Sequence, residues 1–176
     1  MSEPILLYGI GATKAGTSWL YRTLADRDDS AFPAIKELHY WDTGDTAAAQ
    51  DQCATLQGRL RRLQALREEA QRERRGWQVA NVDRQLVDVV ALQDVLRGSR
   101  QGHDAYCAYL KTRASEAQIT GDITPAYALL PSETLQEMLS VSSRARMLYV
   151  MRDPLERLWS AIRMQAHRQL AEGQTV

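Results

Sequence analysis

Cysteine is almost absent from this sequence: Cys53 and Cys107 are the only two among 176 residues. They lie too far apart for a CxxC pair and are too few for a disulfide framework or a thiolate cluster, so a reducing, cytoplasmic setting is expected. Aromatic residues make up 7%, with a single phenylalanine. No apolar run approaches the ~20 residues of a membrane span. Glu3 and Pro4 stand where a signal peptide would carry basic residues. Membrane insertion and secretion are therefore not expected. Net charge is missing as well, because 22 basic residues balance 22 acidic ones. A nucleic-acid partner would call for a positive excess, so none is expected.

What remains is the composition of one ordinary domain, 44% hydrophobic and 25% charged. A chain of this length buries roughly 68–70% of its unfolded surface, enough for a core and an enclosed site. The charge balance is only global. Residues 59–75 hold seven arginines against three glutamates, and 144–168 hold six arginines against two acids. Such segments suit a small anion or an acidic polymer, although nineteen of the 22 cations are arginine, which codon usage alone can produce.

Residues 5–10 form a short apolar run that breaks into Gly11–Ser18 and then into the helical spacing of 19–24, a strand, turn and helix. Residues 32–42 read as a loop or short strand rich in aromatics. Leucines at 56, 60, 63 and 66 give one face of a long helix over roughly 46–75, with arginines on the other. Leu86, Val89, Val90 and Val95 mark a second helix ending near Gly98, and Tyr106–Arg113 a third. Residues 118–123 read as a strand stopped by Pro125. Pro131 opens a helix, 146–151 read as a buried strand, and Asp153 and Pro154 open the last helix. This alternation predicts an α/β fold of three layers, with a central, mostly parallel sheet flanked by helices in one domain. Ligands in such folds bind at the carboxyl ends of strands, where the turns at 11–18 and 151–160 fall.

Gly11-x-x-x-x-Gly16-Thr17-Ser18 has the glycine spacing of a nucleotide phosphate loop, but Thr17 occupies the lysine position and the lysine sits earlier, at Lys14. In an ATP-hydrolysing loop the lysine follows the second glycine and reaches the β and γ phosphates, so an ordinary kinase is disfavoured. The loop still offers backbone N–H groups, a helix N-terminus and the Thr17 and Ser18 hydroxyls to one phosphate, with Lys14 on its leaving-group side. The plain alternative is a glycine turn with a solvated lysine. At the second turn, Arg152 ends a strand and Ser160 lies two turns into the next helix, where a guanidinium fork and a hydroxyl suit another phosphate. Asp153 suits a helix cap and Arg157 an ion pair with it.

With both turns in view, the sequence resembles the sulfotransferases that use 3′-phosphoadenosine 5′-phosphosulfate. Lys14-Ala-Gly-Thr-Ser18 resembles the family's loop for the 5′-phosphosulfate, and 152–160 its 3′-phosphate motif. Lys36-Glu-Leu-His-Tyr-Trp-Asp42 and Gly121-Asp-Ile-Thr-Pro-Ala-Tyr127 resemble segments of the carbohydrate branch typified by heparan sulfate sulfotransferases. The resemblance implies a P-loop-like fold, transfer of a sulfuryl group to a hydroxyl of a carbohydrate or small molecule, adenosine 3′,5′-bisphosphate as product, and no metal. It implies that Lys14, Ala15, Gly16, Thr17, Ser18, Trp19, Arg152 and Ser160 hold the donor. Glu37 matches the general base, with His39 as rival; in an extended segment the two would project to one face. Lys14 would stabilise the leaving phosphate. His39, Asp42, Thr124 and Tyr127 match the acceptor side, whereas Tyr40 and Trp41 suit packing. The region from about 46 to 113 would be a helical, acceptor-shaping insertion, its arginine face open to an anionic acceptor or simply solvated.

Two departures stand out. Ile123 occupies a position that is lysine in the carbohydrate branch, which removes a cation for an acidic sugar. The family also continues past its 3′-phosphate motif, whereas this sequence stops at Val176, so a C-terminally truncated or incomplete site is expected. A non-catalytic relative that binds the nucleotide without turnover is the competing expectation. Oligomeric state has no signal.

Overall fold

The run Ile5–Gly11 forms β1, the central strand of a three-stranded parallel sheet of order β2-β1-β3, in a computed structural model that describes residues 3–44, 46–98, 101–112, 114 and 117–171. β1 pairs with β2 (Ile119–Ile123) on one edge, Leu6 opposite Thr120, and with β3 (Ala145–Tyr149) on the other, Leu6 opposite Ala145. Bonded on both sides, β1 is near-continuously apolar, as a central parallel strand must be. β2 approaches it so closely that a Cβ on Gly121 would overlap the Leu7 carbonyl.

Between β1 and β2 run α1 (Thr17–Ala25), α2 (Thr46–Arg72), α3 (Gly76–Arg97), a single 3₁₀ turn at Gln101–His103, and α4 (Asp104–Lys111). The leucine face expected on the long helix is real: Leu56 and Leu63 are buried, and Leu60 and Leu66 pack against the same core. α3 answers with Val82, Val89, Leu92, Val95 and Leu96. Each fully buried side chain of this kind contributes roughly 1.5–3 kcal/mol. Val90 is exposed instead, because the face follows 82, 89, 92 and 96 and turns residue 90 outward. Gly98 follows α3 as expected, while the expected helix end at Arg113 lies outside the described residues.

A 3₁₀ turn at Pro125–Leu129 and α5 (Ser132–Ser140) lead into β3, and α6 (Pro154–Ala171) closes the described chain. Asp153 Oδ1 accepts from the Leu155 and Glu156 amides at 3.0 Å each, the predicted cap. β3 corrects an expectation: Arg146, Leu148 and Tyr149 are exposed, so the strand is an edge and not a buried element. An apolar run reports composition; coverage depends on neighbours, and β3 has a paired strand on one side only among the described residues. Residues 32–42 form no strand but an irregular segment whose aromatic members enter the core, Tyr40 stacking on Tyr106 of α4 at 4.1 Å. The molecule is thus α/β, a small parallel sheet flanked by helices. Among the described residues no helix is long and apolar enough to cross a membrane.

Candidate functional site

The β1–α1 turn ends at Gly16, whose φ of 104° lies in the left-handed region that glycine enters without a Cβ clash. No side chain caps α1, which leaves its first-turn amides facing the turn. Around this turn lies a cavity of about 530 Å³ that gathers Lys14, Thr17 and Ser18 from the first turn and Arg152 and Ser160 from the second. The Arg152 guanidinium reaches the Lys14 carbonyl at 3.4 Å, joining the two strand ends directly.

Among the described residues, cations outnumber acids in this cavity. The Lys14 ammonium meets only the Met164 thioether, at 3.3 Å, a weak acceptor that leaves its charge uncompensated among the described residues. Arg152 forms an exposed ion pair with Glu156 at 3.1 Å; the expected Arg157–Asp153 side-chain pair is replaced by this one, and Arg157 meets Asp153 only through its own amide. Two further cations line the cavity that motif reading did not assign. Lys36 donates to the Thr17 and Ser18 hydroxyls at 3.1 Å each and to Glu37 at 2.9 Å. Arg168 follows Ser160 and Met164 at intervals of four residues on one face of α6. That stepping was the signal for Arg168; for Lys36 it was its place at the head of the Lys-Glu-x-His segment.

The residues expected around the donor are not all alike. Gly16, Thr17, Ser18, Lys14, Arg152 and Ser160 line the cavity. Ala15 is buried with its amide bonded to the Ala12 carbonyl, so it shapes the turn. Trp19 is 71% exposed and is not part of the cavity lining.

Glu37 and Lys36 also line a second cavity of about 470 Å³, which runs between the 36–42 segment and α2 and includes His39. Glu37 therefore stands at the junction of the two spaces. It takes φ of 62° and His39 takes 54°, both left-handed, so the segment is not extended and the two side chains do not share a face by strand alternation. Lys14 shares this conformation at 66°. Left-handed geometry costs a residue with a Cβ roughly 1–2 kcal/mol, and here it persists because hydrogen bonds pin the intervening residues. The Leu38 amide donates to Thr124 Oγ1 at 3.0 Å and the Tyr40 amide to the Tyr127 hydroxyl at 2.9 Å. Thr124, Tyr127 and Tyr106 in turn donate to the Asp122 carboxylate at 2.6, 2.7 and 3.1 Å. Burial pushes the Asp122 carboxyl up from its usual range, against the opposing pull of those three hydroxyls.

Three of the residues expected on the acceptor side have internal partners. Thr124 and Tyr127 are fully buried and their hydroxyls are engaged internally, so they hold the segment in place rather than contact an acceptor. Asp42 likewise serves its neighbour, accepting from His39 Nδ1 at 2.7 Å. A carboxylate can only accept, so Nδ1 carries the proton, and this bond raises the His39 pKa, opposed by partial burial. A third hollow of about 420 Å³ lies between the start of α2 and the end of α3, with Arg97 as its one charged wall residue among the described residues. No family model, no curated protein and no solved structure matches this chain.

Proposed function

We propose that this chain is a sulfotransferase that moves a sulfuryl group from 3′-phosphoadenosine 5′-phosphosulfate to a hydroxyl of a carbohydrate or small-molecule acceptor, on a P-loop-like fold. The observation that carries the reading is the joining of both strand-end turns around one cationic cavity whose wall contains Glu37. The residues fit the donor in charge and in placement. Among the described residues Lys14 has no anionic partner; Thr17, Ser18 and Ser160 contribute hydroxyls, and Arg152 and Arg168 add guanidinium groups. Two unpaired cysteines support a cytoplasmic setting, and the reading includes no nucleic acid or membrane partner.

When bound, the donor supplies the sulfuryl group: the bond from sulfur to the bridging phosphate oxygen breaks as the acceptor oxygen bonds to sulfur, and the bisphosphate leaves with the electron pair. Glu37 takes the acceptor's proton, a role open to an exposed carboxylate at the junction of the two cavities. Lys14 and Lys36 place positive charge where the leaving phosphate gains negative charge. Arg152, Arg168 and Ser160 bind and orient at the far end of the cavity.

Thermal shift with adenosine 3′,5′-bisphosphate against ATP plus magnesium is the first test, with stabilisation expected from the bisphosphate. Stabilisation by ATP alone would sink the reading. Glu37→Gln should lower transfer by about 10²–10⁴-fold while bisphosphate affinity stays nearly unchanged; lost affinity would make Glu37 structural. A second reading, a bisphosphate-binding protein without turnover, is favoured by the Lys36–Glu37 ion pair, which engages the proposed base. Bisphosphate binding without any sulfated product would select it.

A further inference from the structure

The cavity along α2 has a chemistry of its own. Its helical wall is a single stripe, Thr55, Leu56, Arg59, Arg62, Leu63 and Leu66, spaced by three and four residues. With Gln52 included, the stripe spans roughly 20 Å of helix, at about 1.5 Å per residue. The segment facing the helix brings Lys36, Glu37 and His39 to the groove, and the helix itself brings two guanidiniums. Arg59 is half-buried in the wall between this groove and a hollow beside α1, and it donates only to the Lys36 carbonyl, at 3.4 Å. Burial lowers its pKa and the neighbouring Arg62 adds to the effect, with Tyr21 and Glu37 opposing it. Among the described residues neither Arg59 nor Arg62 pairs with a carboxylate, whereas Arg67 and Arg75, farther along, pair with Asp83 and with Glu69 and Glu73. Among the described residues the arginine face is therefore divided: Arg67 and Arg75 are held in ion pairs, whereas Arg59 and Arg62 face the groove without one.

We propose that the acceptor is an anionic amphiphile: a hydroxyl compound whose carboxylate is taken by Arg59 and Arg62 while its apolar body lies along Leu56, Leu63 and Leu66. Arg59 and Arg62 fix the place of the carboxylate, and the hydroxyl is left to reach Glu37 on the facing segment. Apolar area gives affinity and the guanidiniums give polarity of binding. The acceptor role rests on the sulfotransferase reading; the groove's preference for an anionic amphiphile does not.

Paired probes separate the two. Transfer from the phosphosulfate donor is measured to 8-hydroxyoctanoate and to 1,8-octanediol, and binding of octanoate, which lacks the hydroxyl, is measured by calorimetry. The acid should be preferred by about tenfold or more in kcat/KM, the scale of a charge-assisted contact. Arg59→Met should erase that preference and weaken octanoate by a similar factor, with Arg59→Lys recovering part of both. Bisphosphate affinity is the control for a folded variant, and Arg62→Met gives the same readout if Arg59→Met does not fold. Equal use of acid and diol by the wild type, or a preference that survives Arg59→Met, overturns the proposal. Octanoate binding that depends on Arg59, with no product from any acceptor and no bisphosphate binding, overturns the sulfotransferase reading and leaves the groove assignment standing. Turnover of the diol without octanoate binding overturns the groove assignment alone.

Discussion

Glu37 and His39 are separated by one residue, yet their surroundings push them toward different work. His39 donates to Asp42 at 2.7 Å, and that bond favours the protonated ring, raising its pKa above the ordinary imidazole value against the pull of partial burial. A protonated ring has no lone pair with which to take a proton; it offers a cation to the groove instead. The stability contributed by the pair follows the same sign. A folded pKa above the unfolded one means the contribution is complete below about pH 6.5 and disappears as pH rises through the folded value. Asp42→Asn should therefore cost stability in acid and cost little in alkali, measured as denaturant midpoints across pH. The same variant should move the His39 titration, followed by NMR, down toward 6.5. If His39 were the base, the acid limb of the rate profile would shift down with it. With Glu37 as the base, the limb stays where it is. Lys14 is the complementary case, a cation with a thioether for company. Removing it as Lys14→Ala should reduce transfer by about 10²–10³-fold, the range of a lost transition-state donor, with steady-state rates as the measure.

At the scale of elements, the segment 36–43 is the part of the fold that motif reading located and misjudged. Its sequence marks Glu37 and His39 as chemistry-bearing, but no glycine or asparagine announces the left-handed backbone that both residues adopt. That conformation is imposed from β2 and the turn after it, through Asp122, Thr124 and Tyr127, and contacts 86 and 87 residues apart leave no local trace. For the same reason Thr124 and Tyr127 looked like acceptor contacts: a motif gives residue types without saying which way they face. The helices were more legible because their amphipathic faces repeat locally, and β1 because its apolar run ends in the glycine turn. Tyr127→Phe tests the brace with the smallest change. It removes the acceptor of the buried Tyr40 amide and leaves Asp122 Oδ2 with Tyr106 as its remaining donor, so unfolding free energy should fall by about 1–3 kcal/mol. Transfer should fall as well while bisphosphate affinity holds, because the brace positions Glu37 and leaves the Lys14 turn alone. Chemical denaturation and initial rates check the two halves.

Across the whole molecule the two ends of the sheet are unequal. The core joins β1, the 35–41 segment, α2, α3 and α4, whereas α6 has no buried side chain among those described. Leu155, Leu158, Ile162 and Trp159, the last 60% exposed, all lie open on it, and Leu148 and Tyr149 of β3 extend the apolar surface. Among the described residues its polar ties to the cavity are the Lys14–Met164 contact and the Arg152–Lys14 bridge at its head. A helix held by so little should open at a free energy well below that of global unfolding. Hydrogen exchange should accordingly find α6 amides the least protected of the long helices, with α3 and β1 the most. An anion that bridges Lys14 with Arg152, Ser160 and Arg168 binds only the docked helix, so it should stabilise that helix by mass action. Adenosine 3′,5′-bisphosphate at about 100 times its Kd should slow α6 exchange by up to about 100-fold, close to 2.7 kcal/mol, with a smaller change in α3. An unchanged α6 with a bound ligand would mean that the second turn takes no part in holding it, and Lys14 and its turn would then be the whole of the anion site.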